Sequence, residues 1–336
     1  SGNIKQRVFT SLNFFVMQSE GICTHYRFCF NLSDIVLRMR VFFRSTPFLA
    51  ILACWLWSTA FVGVKIGLEY HTPFQFAGYR FMLAGFMLFV WFGNPRRYIR
   101  EILLNPGYVV LISFIQIFVQ YALFYLAIGM VPGALGAMIV GASPLFIAMV
   151  AHFTMGNDRM TPVKTISIFV GVAGIAIITL GRTTIQMRGE MELVGIALLI
   201  LNNISSGFAN VLVSRKSNGV SAMVLSSFSL ILGGVMLFLI SIPLEGLHRK
   251  PFPAVYYFSL GWLAFLSAAA FSIWFSLIQR PGVKVSELNV WKFLIPVSGA
   301  ILSWMLLVDE QPDIYSIMGM LVIAVSLLLL NFTKRK

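Results

Sequence analysis

Apolar runs about twenty residues long, parted by short polar connections, recur ten times along the chain. They fall at 47–66, 74–92, 107–128, 133–153, 162–181, 192–213, 221–244, 256–279, 286–307 and 312–331. Each is long enough for a helix to cross the roughly 30 Å hydrocarbon core of a bilayer. Backbone polar groups in lipid must be satisfied within the segment, so each run is expected to be helical. Breakers mark the connections: Pro73, Asn94-Pro95, Pro106-Gly107, Pro132-Gly133, Pro162, Pro251, Pro281-Gly282 and Pro312. The expected fold is an all-α integral membrane protein with ten transmembrane helices.

Composition agrees. The 336 residues are 58% hydrophobic and 11% charged, against about 25% charged in a soluble domain. The net charge of +13 does not point to nucleic acid, because the basic residues sit in short loops and tails rather than in an aromatic-interleaved domain. Their placement sets topology instead. With the N-terminus inside, eighteen of the 25 Lys and Arg fall on the cytoplasmic side and five outside, with Arg80 and Lys292 within spans. Both termini are therefore expected in the cytoplasm.

The ten spans divide into two sets of five, 47–181 and 192–331. Trp57-Ser58-Thr59-Ala60-Phe61 aligns with Ile204-Ser205-Ser206-Gly207-Phe208 at an offset of 147. Pro144 pairs with Pro296, Asp158 with Glu310, Ser167 with Gly319 and Gly174 with Ser326 at an offset of 152. The difference suits a small insertion near 245–251. Five is odd, so the second set starts from the opposite side and the repeat is inverted, an arrangement of secondary carriers with substrate near the midplane. Residues 1–46 precede the first span. Within them, 1–38 carry no span and no clean signal peptide. They read as a leader the fold can spare, with Met39 as an alternative start, or as a regulatory tail. Residues 332–336 form a short basic tail.

Several stretches resemble the EamA-type exporters of the drug/metabolite transporter superfamily. Trp57-Ser58-Thr59-Ala60-Phe61-Val62-Gly63-Val64-Lys65 is similar to the family's W-G-x-x-F-x-x-x-K opening, followed by Pro73 and Arg80-Phe81. Ser143-Pro144-Leu145 and Ile295-Pro296-Val297 resemble its mid-helix proline motif, and Asp309-Glu310 with Gly319 its approach to the last span. The resemblance covers 47–331. Ser58 stands where the family usually has Gly, and Gly156-Asn157-Asp158 where it has Gly-Glu. The resemblance implies an exporter of amino acids or related metabolites in a bacterial cytoplasmic membrane. It also implies a structural or gating role for Arg80, since the family carries an Arg there whatever the substrate.

Polar side chains inside a membrane usually face the bundle interior. Ser113, Gln116 and Gln120 form one stripe, and Asn203, Ser206 and Asn210 another, with Asn202 and Ser205 beside it. Both stripes are candidate substrate contacts; the alternative is hydrogen bonding between helices alone. Arg80 could hold a carboxylate, snorkel outward or pair with Glu69. Lys292, about 12 Å into its span, could hold a carboxylate, pair with an unseen acid or snorkel. Trp57, Tyr79 and Trp291 are candidate aromatic walls. Pro144 and Pro296 break the helical ladder and are candidate hinges. None of the twelve acidic residues lies mid-span, and only Glu287 comes near, which favours facilitated diffusion or exchange over proton coupling. No metal site or cofactor is expected: the cysteines Cys23, Cys29 and Cys54 lack ligand spacing, and no phosphate-binding loop is present.

The leading expectation is a secondary carrier, not an enzyme, moving a small-molecule substrate across the lipid bilayer. A phosphorylated-sugar or nucleotide-sugar carrier is the second reading, and would need converging basic residues. A membrane enzyme or a non-transporting scaffold is the reading from another class. The sequence leaves a homodimer open alongside a monomer.

Overall fold

The computed structural model describes residues 44–154, 161–182, 190–214, 219–247, 251–281, 283 and 285–332. The early tail, Asp158, the basic stretch 248–250 and residues 333–336 lie outside these, as does the side chain of Glu287. The chain divides into two units, 1–48 and 49–336. In the first, the Phe48 N–H donates to Ser45 Oγ at 3.4 Å.

The helices follow the apolar runs closely. They are α1 (Thr46–Leu68), α2 (Pro73–Phe92), α3 (Pro95–Leu104), α4 (Pro106–Ile112) and α5 (Gln120–Met130). Then come α6 (Gly133–Gly141), α7 (Ser143–Thr154), α8 (Pro162–Arg182), α9 (Glu190–Ser214), α10 (Ala222–Glu245) and α11 (Ala254–Ile278). The chain closes with α12 (Val285–Asn289), α13 (Leu294–Leu306) and α14 (Ile314–Phe332). Among the described residues there is no strand. Seven helical stretches, counting Pro106–Met130 and Gly133–Thr154 each as one, are long and apolar enough to cross a membrane, and 165–178, 294–306 and 314–326 are shorter apolar helices.

Three features depart from plain helical runs. The connection after 92 is itself a helix, α3, started by Asn94 Oδ1 accepting from the Arg97 N–H at 3.0 Å. Its exposed basic residues hide its character in a hydropathy reading, but Tyr98 and Glu101 are buried. Between α4 and α5 the chain winds as a π-helix over Ser113–Val119. Between α12 and α13 it tightens to a 3₁₀ turn over Val290–Phe293.

Antiparallel pairs of helices build the bundle: α2 runs along α10, α8 along α14 and α6 along α13, while α9 packs on α5 and α7. Small residues allow close approach, where van der Waals contact replaces the missing hydrophobic drive. A methyl group on Gly85 would lie 2.6 Å from the Ser227 carbonyl oxygen, and one on Gly319 would lie 2.6 Å from that of Gly174. Across these contacts Ser227 Oγ donates to the Gly85 carbonyl at 2.8 Å and Ser326 Oγ to the Ser167 carbonyl at 2.6 Å.

The first N–H groups of a helix need partners from outside it. Thr72, Pro132 and Ser221, which precede α2, α6 and α10, supply no side-chain cap. A glutamate distant in sequence does so each time. Glu245 accepts from the N–H groups of Phe74 and Gln75 at 2.8 and 3.1 Å. Glu310 accepts from those of Gly133 and Ala134 at 2.5 and 2.9 Å. Glu101 accepts from the Ser221 N–H and hydroxyl at 3.0 and 2.6 Å, and from Arg97 Nε at 2.8 Å. Each carboxylate also meets the positive end of the helix dipole. Glu101 and Glu245 thus tie the α2–α10 pair at its two ends.

Burial alone would raise the Glu101 carboxyl, but the Ser221 hydroxyl and N–H and the Arg97 guanidinium outweigh it and hold the group below its ordinary 4.5. Its stabilisation is therefore full above about pH 4.5 and is lost as the pH falls through the lower value it has in the fold. Glu101→Ala is expected to cost about 1 kcal/mol, as for loss of a helix cap. Thermal unfolding in detergent, followed from pH 7 downward, should show the gap from wild type closing only in that acid range.

Candidate functional site

Segments of α1, α2, α5, α9 and α11 and of the π-helix before α5, with the broken stretches α6–α7 and α12–α13, line a cavity of about 70 Å³. The breaks have one cause. Proline lacks an N–H and cannot bond the carbonyl four residues before it. Pro144 therefore strips Val140, and Pro296 strips Lys292. Both stripped residues line the cavity. The prolines themselves sit in the first turns of α7 and α13, where no N–H is required. Near Pro144 the ladder interrupts at Ala142, whose N–H bonds back only three residues, to the Ile139 carbonyl at 3.1 Å. Near Pro296 it tightens into the 3₁₀ turn that carries Lys292. Irregular backbone at membrane depth is tolerated where it lines a cavity.

Of the residues singled out from sequence, Gln116, Gln120, Asn203 and Ser206 line this cavity, as do Asn210, Arg80, Trp57 and Lys292. Tyr79 and Trp291 do not. Each adjoins a lining cation, and consecutive residues on a helix point roughly 100° apart at 3.6 residues per turn. Tyr79 turns instead to His71 and Phe238, with ring centroids at 5.8 and 5.2 Å, and Trp291 packs half-buried against the core. Ser113 spends its hydroxyl on the Val109 carbonyl at 2.7 Å. Ser205 donates to the Ile115 carbonyl in the π-helix at 3.3 Å.

Much of the polar lining is already engaged. Gln116 Nε2 donates to Gln120 Oε1 at 2.8 Å. Asn203 Nδ2 donates to the Ile139 carbonyl at 2.6 Å, supporting the interrupted turn before Pro144. Asn210 Nδ2 donates to the Ser206 carbonyl at 2.8 Å, and its Oδ1 accepts from Trp274 Nε1 at 3.2 Å. Two buried atoms of lining residues have no partner: Trp57 Nε1 and Asn202 Oδ1. Asn202 stood beside the candidate stripe in the sequence and Trp274 was one of several span aromatics that could form a wall, but nothing in the sequence ranked them above the rest.

The two cations differ. Arg80 neither snorkels nor pairs with Glu69. It is 1% exposed, donates from Nε to Ser267 Oγ at 2.9 Å and from Nη1 to the Tyr125 hydroxyl at 3.0 Å, and lies over the Phe81 and Tyr121 rings. Lys292 is 6% exposed. Among the described residues Nζ has neither an ion pair nor a hydrogen bond; it rests over the indoles of Trp57 and Trp274, 5.7 and 4.9 Å from the ring centroids. No carboxylate or histidine is among the cavity's described walls.

A second hollow of about 960 Å³ lies at the end of the bundle that holds the 69–72 and 307–313 connections. Lys65, Glu69, His71, Glu192, Asp309 and Glu310 are among its walls. The described residues contain no cluster of His, Cys, Asp and Glu suited to a metal.

The sequence profile of the EamA-like transporter family matches this chain twice, over residues 44–180 and 193–332. The chain belongs to the EamA-like transporter family. As such it is a multi-pass membrane protein that transports small solutes, and its relatives are named as transporters, not enzymes. This EamA-like chain is 24% identical over 291 residues to the uncharacterized transporter YoaV of Bacillus subtilis, covering 83% of this chain and 94% of that one. It is 24% identical over 277 residues to an uncharacterized transporter of Archaeoglobus fulgidus, covering 82% and 93%. It is 26% identical over 258 residues to YedA, an uncharacterized inner membrane transporter of Escherichia coli, covering 74% and 78%. One solved crystal structure superposes with a TM-score of 0.64 at 18% identity, over 86% of this chain and 96% of the other; that likeness speaks for the fold alone.

Asn202 and Asn203 are adjacent in sequence and opposite in situation. Asn203→Ala removes one of two donors to the buried Ile139 carbonyl, which keeps the Ala142 N–H, and is expected to cost about 1 kcal/mol. Asn202→Ala removes the unpartnered Oδ1 together with only a long 3.4 Å bond from Nδ2 to Asn203 Oδ1, and should lower the melting temperature in detergent less than Asn203→Ala does. Equal destabilisation of both variants would contradict this division.

Proposed function

We propose that this chain is a secondary carrier that exports small organic solutes bearing a carboxylate, amino acids or related metabolites, by alternating access. The observation that carries the reading is Lys292: a buried ammonium, without an anionic partner among the described residues, at the wall of the central cavity. Intramembrane charges of this kind mark substrate pathways. In this reading the chain has ten spans, as an inverted repeat of 47–181 and 192–331, with both termini cytoplasmic in a bacterial inner membrane. The larger hollow then opens to the outside. Segments α6–α7 and α12–α13 bend at the Pro144 and Pro296 breaks as access switches sides. With no acid or histidine in the cavity's described walls, the mechanism is exchange or facilitated diffusion, not proton coupling.

A carrier of phosphorylated sugars is the second reading, since Arg80 and Lys292 reach the same cavity. Arg80 is already held by Ser267 and Tyr125, which leaves Lys292 alone to meet an anion and favours a singly charged carboxylate over a phosphate.

Counterflow in proteoliposomes tests the proposal, with a panel of amino acids and their hydroxy- and keto-acid counterparts. Exchange within the panel should be insensitive to a pH gradient and should fall at least about tenfold, the equivalent of 1.4 kcal/mol, in Lys292→Met. A requirement for the gradient would sink the uncoupled mechanism. Pro144→Ala and Pro296→Ala should slow exchange severalfold with unchanged solute affinity; unchanged rates would remove the hinges.

A further inference from the structure

The charge around the central cavity is one-sided. Lys292 and Arg80 both line it, and no described lining residue is acidic. The described carboxylates nearest in role are committed elsewhere: Glu101, Glu245 and Glu310 each hold a helix N-terminus. Two uncompensated cations in a low-dielectric space favour a ligand with net negative charge. A ligand that carries its own ammonium beside the carboxylate returns the repulsion it relieves.

The unused hydrogen-bonding groups agree. Trp57 Nε1 is a donor without an acceptor, beside the Lys292 ammonium that stands over the same indole. Asn202 Oδ1 is the one buried, unpartnered acceptor among the described lining residues. An ammonium needs three acceptors, whereas a hydroxyl needs one. Gln120 Oε1 and Asn210 Oδ1 already accept bonds from Gln116 and Trp274. The rest of the wall, with Tyr121, Phe124 and Phe271, suits an apolar or aromatic body.

We infer that the cavity selects a net monoanion, a small carboxylate with an apolar body and no compensating ammonium, and that Lys292 sets this preference. A 2-hydroxy acid suits the buried unpartnered groups: its carboxylate faces Lys292 and Trp57 Nε1, and its hydroxyl donates to Asn202 Oδ1. The inference rests on the carboxylate-carrier reading and narrows it, from amino acids or related metabolites to the related metabolites.

The test is a matched pair, L-phenyllactate and L-phenylalanine, which share a body and differ in hydroxyl against ammonium. The full chain in proteoliposomes is assayed for counterflow of each, and for charge movement on a solid-supported membrane. Wild type should exchange phenyllactate at least about tenfold faster, the equivalent of 1.4 kcal/mol, and phenyllactate gradients should drive a current. Lys292→Met should shrink the preference and abolish the current, and Lys292→Arg should keep both. Equal or faster exchange of phenylalanine in wild type overturns the inference and leaves the carboxylate carrier standing. Loss of both solutes alike in Lys292→Met, with Lys292→Arg equally inactive, assigns Lys292 a structural role and also overturns it. Wild type that moves neither solute removes the inference and the carboxylate reading together. The wild-type pair decides even where a variant fails to fold.

Discussion

Inside a bilayer each backbone N–H and C=O must find its partner within the protein, and the rest of this structure follows from how that demand is met where helices start and where they break. At the starts of α2, α6 and α10 the local residue offers no cap, and a glutamate distant in sequence supplies it. At the breaks, proline removes a bond and neighbouring groups absorb the loss. The chain shortens its ladder to a 3₁₀ turn around Lys292, and beside the Pro144 break Asn203 adds a second donor to the Ile139 carbonyl. One demand thus links the ties at the bundle's ends to the irregular backbone at its centre.

Charge is sorted along the same lines. The three glutamates placed at helix starts are neutralised by N–H groups and dipoles, and they join elements far apart in sequence. Among the described residues the cations at the cavity have no such acid. Arg80 is nonetheless fully placed by two hydroxyls and two rings, so its charge is a fixed part of the wall. Among the described residues Lys292 has only the faces of two indoles, worth roughly 2 kcal/mol when desolvated, and that leaves it the group with most to gain from an incoming anion. The difference between these two cations carries the functional reading.

The positions of the helices were legible because a spanning helix needs a long apolar run and proline or glycine ends it. Observed ends fall within about three residues of the apolar runs. Helix α3 was not legible that way: its apolar residues cover one face only, and its burial depends on Glu101 and Tyr98 reaching α10 and Ser227. The paired prolines were visible, and so was the polar stripe on α9. That the interruption at Ala142 and the 3₁₀ turn at Lys292 would both face one cavity was not. Tyr79 and Trp291 were expected as wall, yet each stands next in sequence to a residue that does line it, and one face of a helix cannot hold both.

Sequence by itself determined the membrane class, the apolar runs, the two-fold match to one family and the supply of polar groups within the spans. Those depend on composition and periodicity, which act locally. Tertiary structure alone decided which of the polar groups are consumed. Gln116 is taken by Gln120 one turn away, Asn210 by Trp274 on another helix and Asn203 by a carbonyl on a third, whereas Trp57 Nε1, Asn202 Oδ1 and Lys292 keep their capacity. Whether a donor or acceptor is left over depends on what lies within about 3 Å of it in space, and the order of residues along a chain does not contain that distance.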